Sequence, residues 1–212
     1  MKHFIVFLLI FIISCGKQNN KSNKIDSTAR LLNDSAVSLA NNIPLSLDQP
    51  NKFKNENLLK AILLLDQATE IDSNYLIAYS NKISYQCELG QYERAVETAK
   101  HIIKIRPHFA DIYGTIGMLY YKMNDSISSN KYFSNALIQY DYFLDTMNIN
   151  NINYFTLRMN KAVTLKFLGQ NALGNNMLDE LNNKQTDSTF KQLIASLKGK
   201  SKDELINYFE QK

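Results

Sequence analysis

One stretch of this chain recurs at a fixed distance, and that recurrence limits the fold more than any other feature. Placing the stretch that starts at Ala78 over the residues 34 further on sets Tyr79 on Tyr113, Ile83 on Gly117, Cys87 on Tyr121, Ala95 on Ser129 and Ile102 on Ala136. Moving 34 residues the other way sets Ala95 on Ala61, Ile102 on Ala68, Ile105 on Ile71 and Pro107 on Ser73. A period of this length marks stacked supersecondary units, none of which can bury its apolar face alone. Apolar residues spaced three and four apart almost everywhere after Ile25 make those units helical. With 3 prolines, 7 glycines and no tryptophan, the chain lacks the turn punctuation of an all-β fold.

The best-preserved segments are Tyr113-x-x-Ile116-Gly117-x-x-Tyr120 and Phe133-x-x-Ala136-Leu137. In the preceding unit Gly90 marks a turn, Tyr92-x-x-Ala95 opens a second helix and Pro107 closes it. Leu168-Gly169, with Asn160-Lys161-Ala162 upstream, looks like a degenerate third unit, displaced by an insertion around Thr146 to Asn153. These patterns resemble the tetratricopeptide repeat (TPR) family over about Glu56 to Asn183. The resemblance implies an all-α, TPR-like helical-hairpin solenoid of about three repeats with N- and C-terminal capping helices. Its units fall at about 42–75, 76–109, 110–143 and 155–188, with a C-terminal cap over 189–212. Ala95, Gly117, Ala136 and Ala162 would let helix axes approach, while Tyr79, Tyr113, Tyr120 and Phe133 fill the space beside them. Ile83 stands in place of the family's usual small residue and Ser129 in place of its usual alanine.

Outside the repeats, Asp26 to Asn42 is amphipathic through Leu31, Leu32, Ala36, Leu39 and Ala40. It is expected to pair with a helix over Asn57 to Asp72, with Pro44 and Pro50 breaking the connection. Phe190 to Leu197 and Ser201 to Phe209 read as closing helices, the latter with a Ser201–Glu204 capping box. Lys202, Asp203, Asn207 and Glu210 offer a polar outer face for that cap.

The N-terminus reads as an address. Lys2 precedes an unbroken apolar run from Phe4 to Ile13, then Ile12-Ile13-Ser14-Cys15. Ten residues of helix span about 15 Å, half of the roughly 30 Å hydrocarbon core of a bilayer, so residues 1–14 read as a signal peptide. The four residues ending at Cys15 resemble a lipobox, which implies cleavage before Cys15 and acylation of its thiol. Several acyl chains at one site suffice for stable anchoring. Residues 15–26 then form the lipidated cysteine and a flexible tether, ahead of the helical domain at 27–212. Gly16 stands where an aspartate would imply inner-membrane retention, and Lys17, Lys21 and Lys24 make the tether basic. The resemblance implies a TPR lipoprotein of a Bacteroidetes-type bacterium, on the outer membrane and facing the periplasm.

Little in the chain points to chemistry. The net charge of +4 is too small and too dispersed for nucleic-acid binding. Clusters at Lys100, Lys104 and Arg106 and at Lys198, Lys200 and Lys202 read as solvated helix faces and ends. His101 and His108 show no metal-ligand spacing, and no nucleophile elbow, phosphate-binding loop or dinucleotide fingerprint occurs. Glu70, Asp72, Asp179 and Glu180 read as helix-end and surface carboxylates. No catalytic residue, metal, cofactor or small-molecule substrate is expected. Cys87 reads as a small apolar residue in a helix pair, with a reactive thiol or an intermolecular disulfide as alternatives.

The expected function is that of a binding scaffold. In the resembled family the first helices line a concave groove for a protein or peptide. Here i, i+4, i+7 spacing sets Ser80, Ser84 and Cys87 on one stripe, as it does Gly114, Met118 and Tyr121, and Met159, Val163 and Lys166. Ser80 and Ser84 stand where some members use Lys and Asn to grip acidic C-terminal tails, so that clamp is not expected. A self-assembling structural lipoprotein is the alternative, with an enzyme of unrecognised site behind it.

Overall fold

The structure, a computed structural model, describes residues 25–42, 50–149, 151, 153–184 and 186–211. Among these the chain is all-helical, with helices packed in consecutive pairs and no strand. The described residues form two compact units, 25–107 and 108–211.

The first unit holds α1 (Ser27–Asn41), α2 (Pro50–Ile71), α3 (Leu76–Glu88) and α4 (Tyr92–Ile105). The Asp26 carboxylate starts α1 by accepting from the backbone N–H groups of Thr28 and Ala29, at 2.8 and 3.2 Å. The Asp26 N–H donates to Asp72 Oδ2 at 3.2 Å, and Asn57 Nδ2 donates to the Asn42 carbonyl at 2.9 Å. The α1–α2 hairpin is thus tied at both ends. Ala29, Ala36 and Ala40 pack with Leu58, Ala61, Leu65 and Ala68 in one core that also takes in Tyr75, Ala78 and Tyr85. Alanine at three positions of α1 lets the α2 leucines fill the space between the axes.

The helix expected from Asn57 begins seven residues earlier, at Pro50. Proline in a first turn gives up only an N–H that has no helical acceptor, so Pro50 opens α2 and does not break the chain. Pro44 lies outside the described residues. Between α3 and α4, the Thr98 hydroxyl donates to Gln86 Oε1 at 2.9 Å in a buried position. Lys54 on α2 pairs with Glu88 on α3 at 2.7 Å, and Lys82 pairs with Asp66.

The second unit holds α5 (Ala110–Lys122), α6 (Ser126–Thr146), α7 (Tyr154–Phe167), α8 (Asn171–Lys184), α9 (Ser188–Leu197) and α10 (Lys202–Gln211). Its main core gathers Met118, Phe133, Met159, Ala162, Val163, Phe167, Leu178, Leu181, Ile194, Leu197, Leu205 and Ile206. α7 is its centre, with every residue from Ala162 to Phe167 buried. Gly117 makes the α5–α6 approach possible: a Cβ there would sit 2.8 Å from the Phe133 ring. Phe133 in turn stacks on Phe167, with ring centroids 4.9 Å apart.

Three hairpin turns share one geometry. Gly90, Asn124 and Gly169 all take a left-handed backbone, with φ of 70°, 59° and 79°. In each, the residue after the turn bonds back five positions: Gln91 to the Gln86 carbonyl, Asp125 to Tyr120 and Gln170 to Leu165, at 2.8 to 2.9 Å. This is the Schellman closure, which satisfies the last carbonyls of a helix and needs Gly or Asn at the left-handed position. Gly90 and Asn124 stand one 34-residue period apart, as do the starts of α3 and α5 at Leu76 and Ala110.

The expected capping box is present. The Ser201 N–H donates to Glu204 Oε2 at 2.7 Å, and the Glu204 N–H donates to Ser201 Oγ at 3.3 Å. The hydrogen bonds that the Ser201 backbone and side chain make to it hold the Glu204 carboxyl below its ordinary range. α9 is capped likewise by Asp187, which accepts from the Phe190 N–H at 2.7 Å.

Candidate functional site

The stripe expected to line a groove divides between the two units. In the first, Ser80, Ser84 and Cys87 lie half-buried on α3. In the second, the stripe is covered. Gly114, Met118, Met159, Val163 and Lys166 are all buried, and Tyr121 alone stays half-buried. The expectation that these five residues line an accessible surface is therefore corrected for this conformation. The reason is nonlocal: α9 and α10 contribute Ile194, Leu197, Leu205 and Ile206 to the same core as Met118, Met159 and Val163.

Lys166 shows how closely the cap is fitted. Its ammonium donates to Asn175 Oδ1 at 2.7 Å and to the Leu197 carbonyl at 3.0 Å, so it closes the C-terminal end of α9. A cation at a helix C-terminus meets the negative end of the helix dipole. Burial holds the amine below its ordinary range, with the nearby Glu204 charge acting in the opposite direction. The lysine stem lies over Gly174, where a Cβ would come within 2.5 Å of Lys166 Cγ.

α10 meets α5 through polar and aromatic contacts. The Tyr121 hydroxyl donates to Asp203 Oδ1, a bond that raises the pKa of the phenol. Lys202 Nζ lies 4.8 Å from the centroid of the Tyr121 ring and 5.5 Å from that of Phe133. A cation in that position is attracted by the ring faces. Lys202 is thus half-buried over the rings and departs from the expected outer polar face, while Asp203 is exposed as expected even as it bonds Tyr121. Asn207 is exposed as expected, and the Glu210 side chain lies outside the described positions.

Behind the stripe is a buried polar group that sequence reasoning missed. Asp111 on α5 accepts at Oδ1 from the Tyr140 hydroxyl of α6, at 2.5 Å, and from Asn160 Nδ2 of α7, at 3.2 Å. Its Oδ2 has no hydrogen-bond partner among the described residues. Burial raises the Asp111 carboxyl to about 7, with the two donated bonds acting in the opposite direction. The Tyr140 phenol is pushed well above its ordinary value by burial and then by the Asp111 charge. The trace in the sequence is Asn160 and Thr164, polar residues one turn apart on α7 that are both buried.

The surface carboxylates serve the fold. Asp72 accepts from the Asn74 N–H at 3.0 Å, Asp179 pairs with Lys198 at 2.6 Å and Glu180 pairs with Arg158 at 2.8 Å. His101 stacks on Tyr79, and His108 stacks on Tyr142 while its Nδ1 lies 2.9 Å from Gln139 Oε1. Among the described residues no three His, Cys, Asp or Glu side chains come together as a metal site. Cys15 lies outside the described residues. No protein-family model matches the chain.

Proposed function

We infer that the chain is a lipid-anchored helical-repeat scaffold of tetratricopeptide type, which binds a protein partner at the outer membrane on the periplasmic side. The observation that carries the repeat reading is the recurrence of one hairpin turn. Gly90, Asn124 and Gly169 close three helix pairs with the same hydrogen bonds, the first two of them 34 residues apart. Repeated hairpins of this kind commonly present surfaces that bind proteins and peptides. The anchoring reading rests on the lipobox that ends at Cys15 and on the basic tether behind it. No helix among the described residues is long and apolar enough to cross a membrane.

Two experiments test the reading. Cys15→Ser should abolish the mass increment of acylation and move the protein out of the membrane fraction or leave it unprocessed. Unchanged fractionation, with no acyl mass on the wild type, would remove the lipoprotein reading. Crosslinking of the native protein in cells should capture a heterologous partner. A ladder of self-adducts alone would instead favour a self-assembling structural lipoprotein.

A further inference from the structure

A face of the second unit that includes Met118, Tyr121 and Phe133 is held by the chain's own α10. We propose that α10 is an exchangeable occupant, and that the partner engages this unit with an amphipathic helix of the same chemistry. That helix would carry a carboxylate where Asp203 stands and two adjacent aliphatic side chains where Leu205 and Ile206 stand. The proposal rests on the scaffold reading and specifies its ligand.

Three features make α10 separable from the body it covers. Of its ten residues, Leu205 and Ile206 are the wholly buried side chains among those described. Its first turn is closed by its own residues, Ser201 and Glu204, so leaving the surface strands none of those N–H groups. It joins α9 through Gly199, an exposed turn residue with a left-handed φ of 80° and open space where a side chain would stand. α9 is held differently, since the buried Lys166 ammonium grips the Leu197 carbonyl at its end.

What α10 covers has the makeup of a helix-binding groove. Met118 offers a flexible thioether, Phe133 and Tyr121 offer ring faces, and the Tyr121 hydroxyl offers one donor that fixes the register of a carboxylate. From the α10 side, Lys202 sets a cation over the two rings. An incoming helix that repeats Asp203, Leu205 and Ile206 would make the same contacts. With α10 docked, its apparent affinity is lowered by the fraction of molecules that are open.

The test uses the full mature chain and a fluorescein-labelled peptide with the sequence of residues 200–212, followed by fluorescence anisotropy. The wild type should bind it weakly. Leu205→Asn with Ile206→Asn, which weakens the docked α10, should bind it at least about tenfold more tightly. A peptide carrying Asp203→Lys should lose that gain. Asp203→Asn in the chain weakens the latch without touching the apolar contacts, so it keeps the test usable if the double variant unfolds. It should raise peptide affinity severalfold. Circular dichroism must show each variant helical. Folded variants that bind no tighter than the wild type, or bind a scrambled peptide equally well, would overturn the proposal. A dimer forming with concentration in the opened variants, with no peptide binding to the monomer, would overturn it in favour of a second copy. Partner capture in cells can succeed while peptide exchange fails, so the proposal and the scaffold reading stand or fall separately.

Discussion

The Tyr121 hydroxyl hydrogen-bonds to the Asp203 carboxylate across 82 residues of chain, joining the last turn of α5 to the first turn of α10. Because both groups are near solvent, the bond should contribute modestly. Tyr121→Phe and Asp203→Asn are each expected to lower stability by at most about 1 kcal/mol. A double-mutant cycle in urea should find them coupled, with the double variant losing less than the two singles summed. Strict additivity would show that the two side chains do not meet in solution.

Met118→Ala should behave differently from these surface changes, since Met118 belongs to the core of the second unit. Truncation there is expected to cost about 2–5 kcal/mol. Chemical denaturation of the variant beside Asn130→Ala, at an exposed position, gives the comparison; the latter should stay within about 0.5 kcal/mol. A Met118→Ala protein as stable as the wild type would contradict the burial of that stripe.

Two glycines test the close approaches. Gly117→Leu drives a side chain into the Phe133 ring, and Gly174→Ala places a Cβ 2.7 Å from the Ala162 carbonyl oxygen. Alanine in a helix would ordinarily be favoured over glycine by about 1 kcal/mol. Here both substitutions should instead destabilise by about 1–3 kcal/mol. A thermal melt showing Gly174→Ala above the wild type would rule out the packing of α7 on α8.

Asp111 gives the fold a pH dependence of unusual sign. Its pKa rises from 3.8 to about 7 on folding, so the folded protein holds this proton more tightly than the unfolded chain. The associated stability is complete below about pH 4 and is lost as pH rises through 7, at about 1.4 kcal/mol for each unit within that window. Asp125 and Glu204, whose pKa values are lowered, act oppositely at the acid end. Asp111→Asn keeps an oxygen for Tyr140 and Asn160 and should remove the loss. The variant should gain on the wild type between pH 5 and pH 8 when both are followed by urea denaturation. Parallel curves would exclude a buried titrating Asp111.

Ser129 stands in the repeat where Ala95 stands one period earlier, and its hydroxyl is buried with no hydrogen-bond partner among the described residues. Desolvating an unsatisfied hydroxyl is unfavourable, so Ser129→Ala is expected to stabilise by about 1 kcal/mol. A loss of stability on that change would mean the hydroxyl has a partner after all.

The parts of the fold visible in the sequence are those specified locally. The left-handed turn at Gly90, the capping box at Ser201 and the small residue at Gly117 each report on a few neighbouring positions, and each is found where its residues lie. The start of α2 was misjudged because a proline excluded from a helix interior is welcome in its first turn. The covering of Met118, Met159 and Val163 was not legible, since their core is completed by α9 and α10 from far along the chain. Lys166 misled for the same reason. A lysine reads as surface, and only the assembled unit supplies the Asn175 and Leu197 oxygens that let its ammonium be buried.

The order of synthesis gives the α10 cover one more consequence. A growing chain makes α5 and α7 before α9 and α10, so the core that holds Met118, Met159 and Val163 closes only after those last two helices have been made.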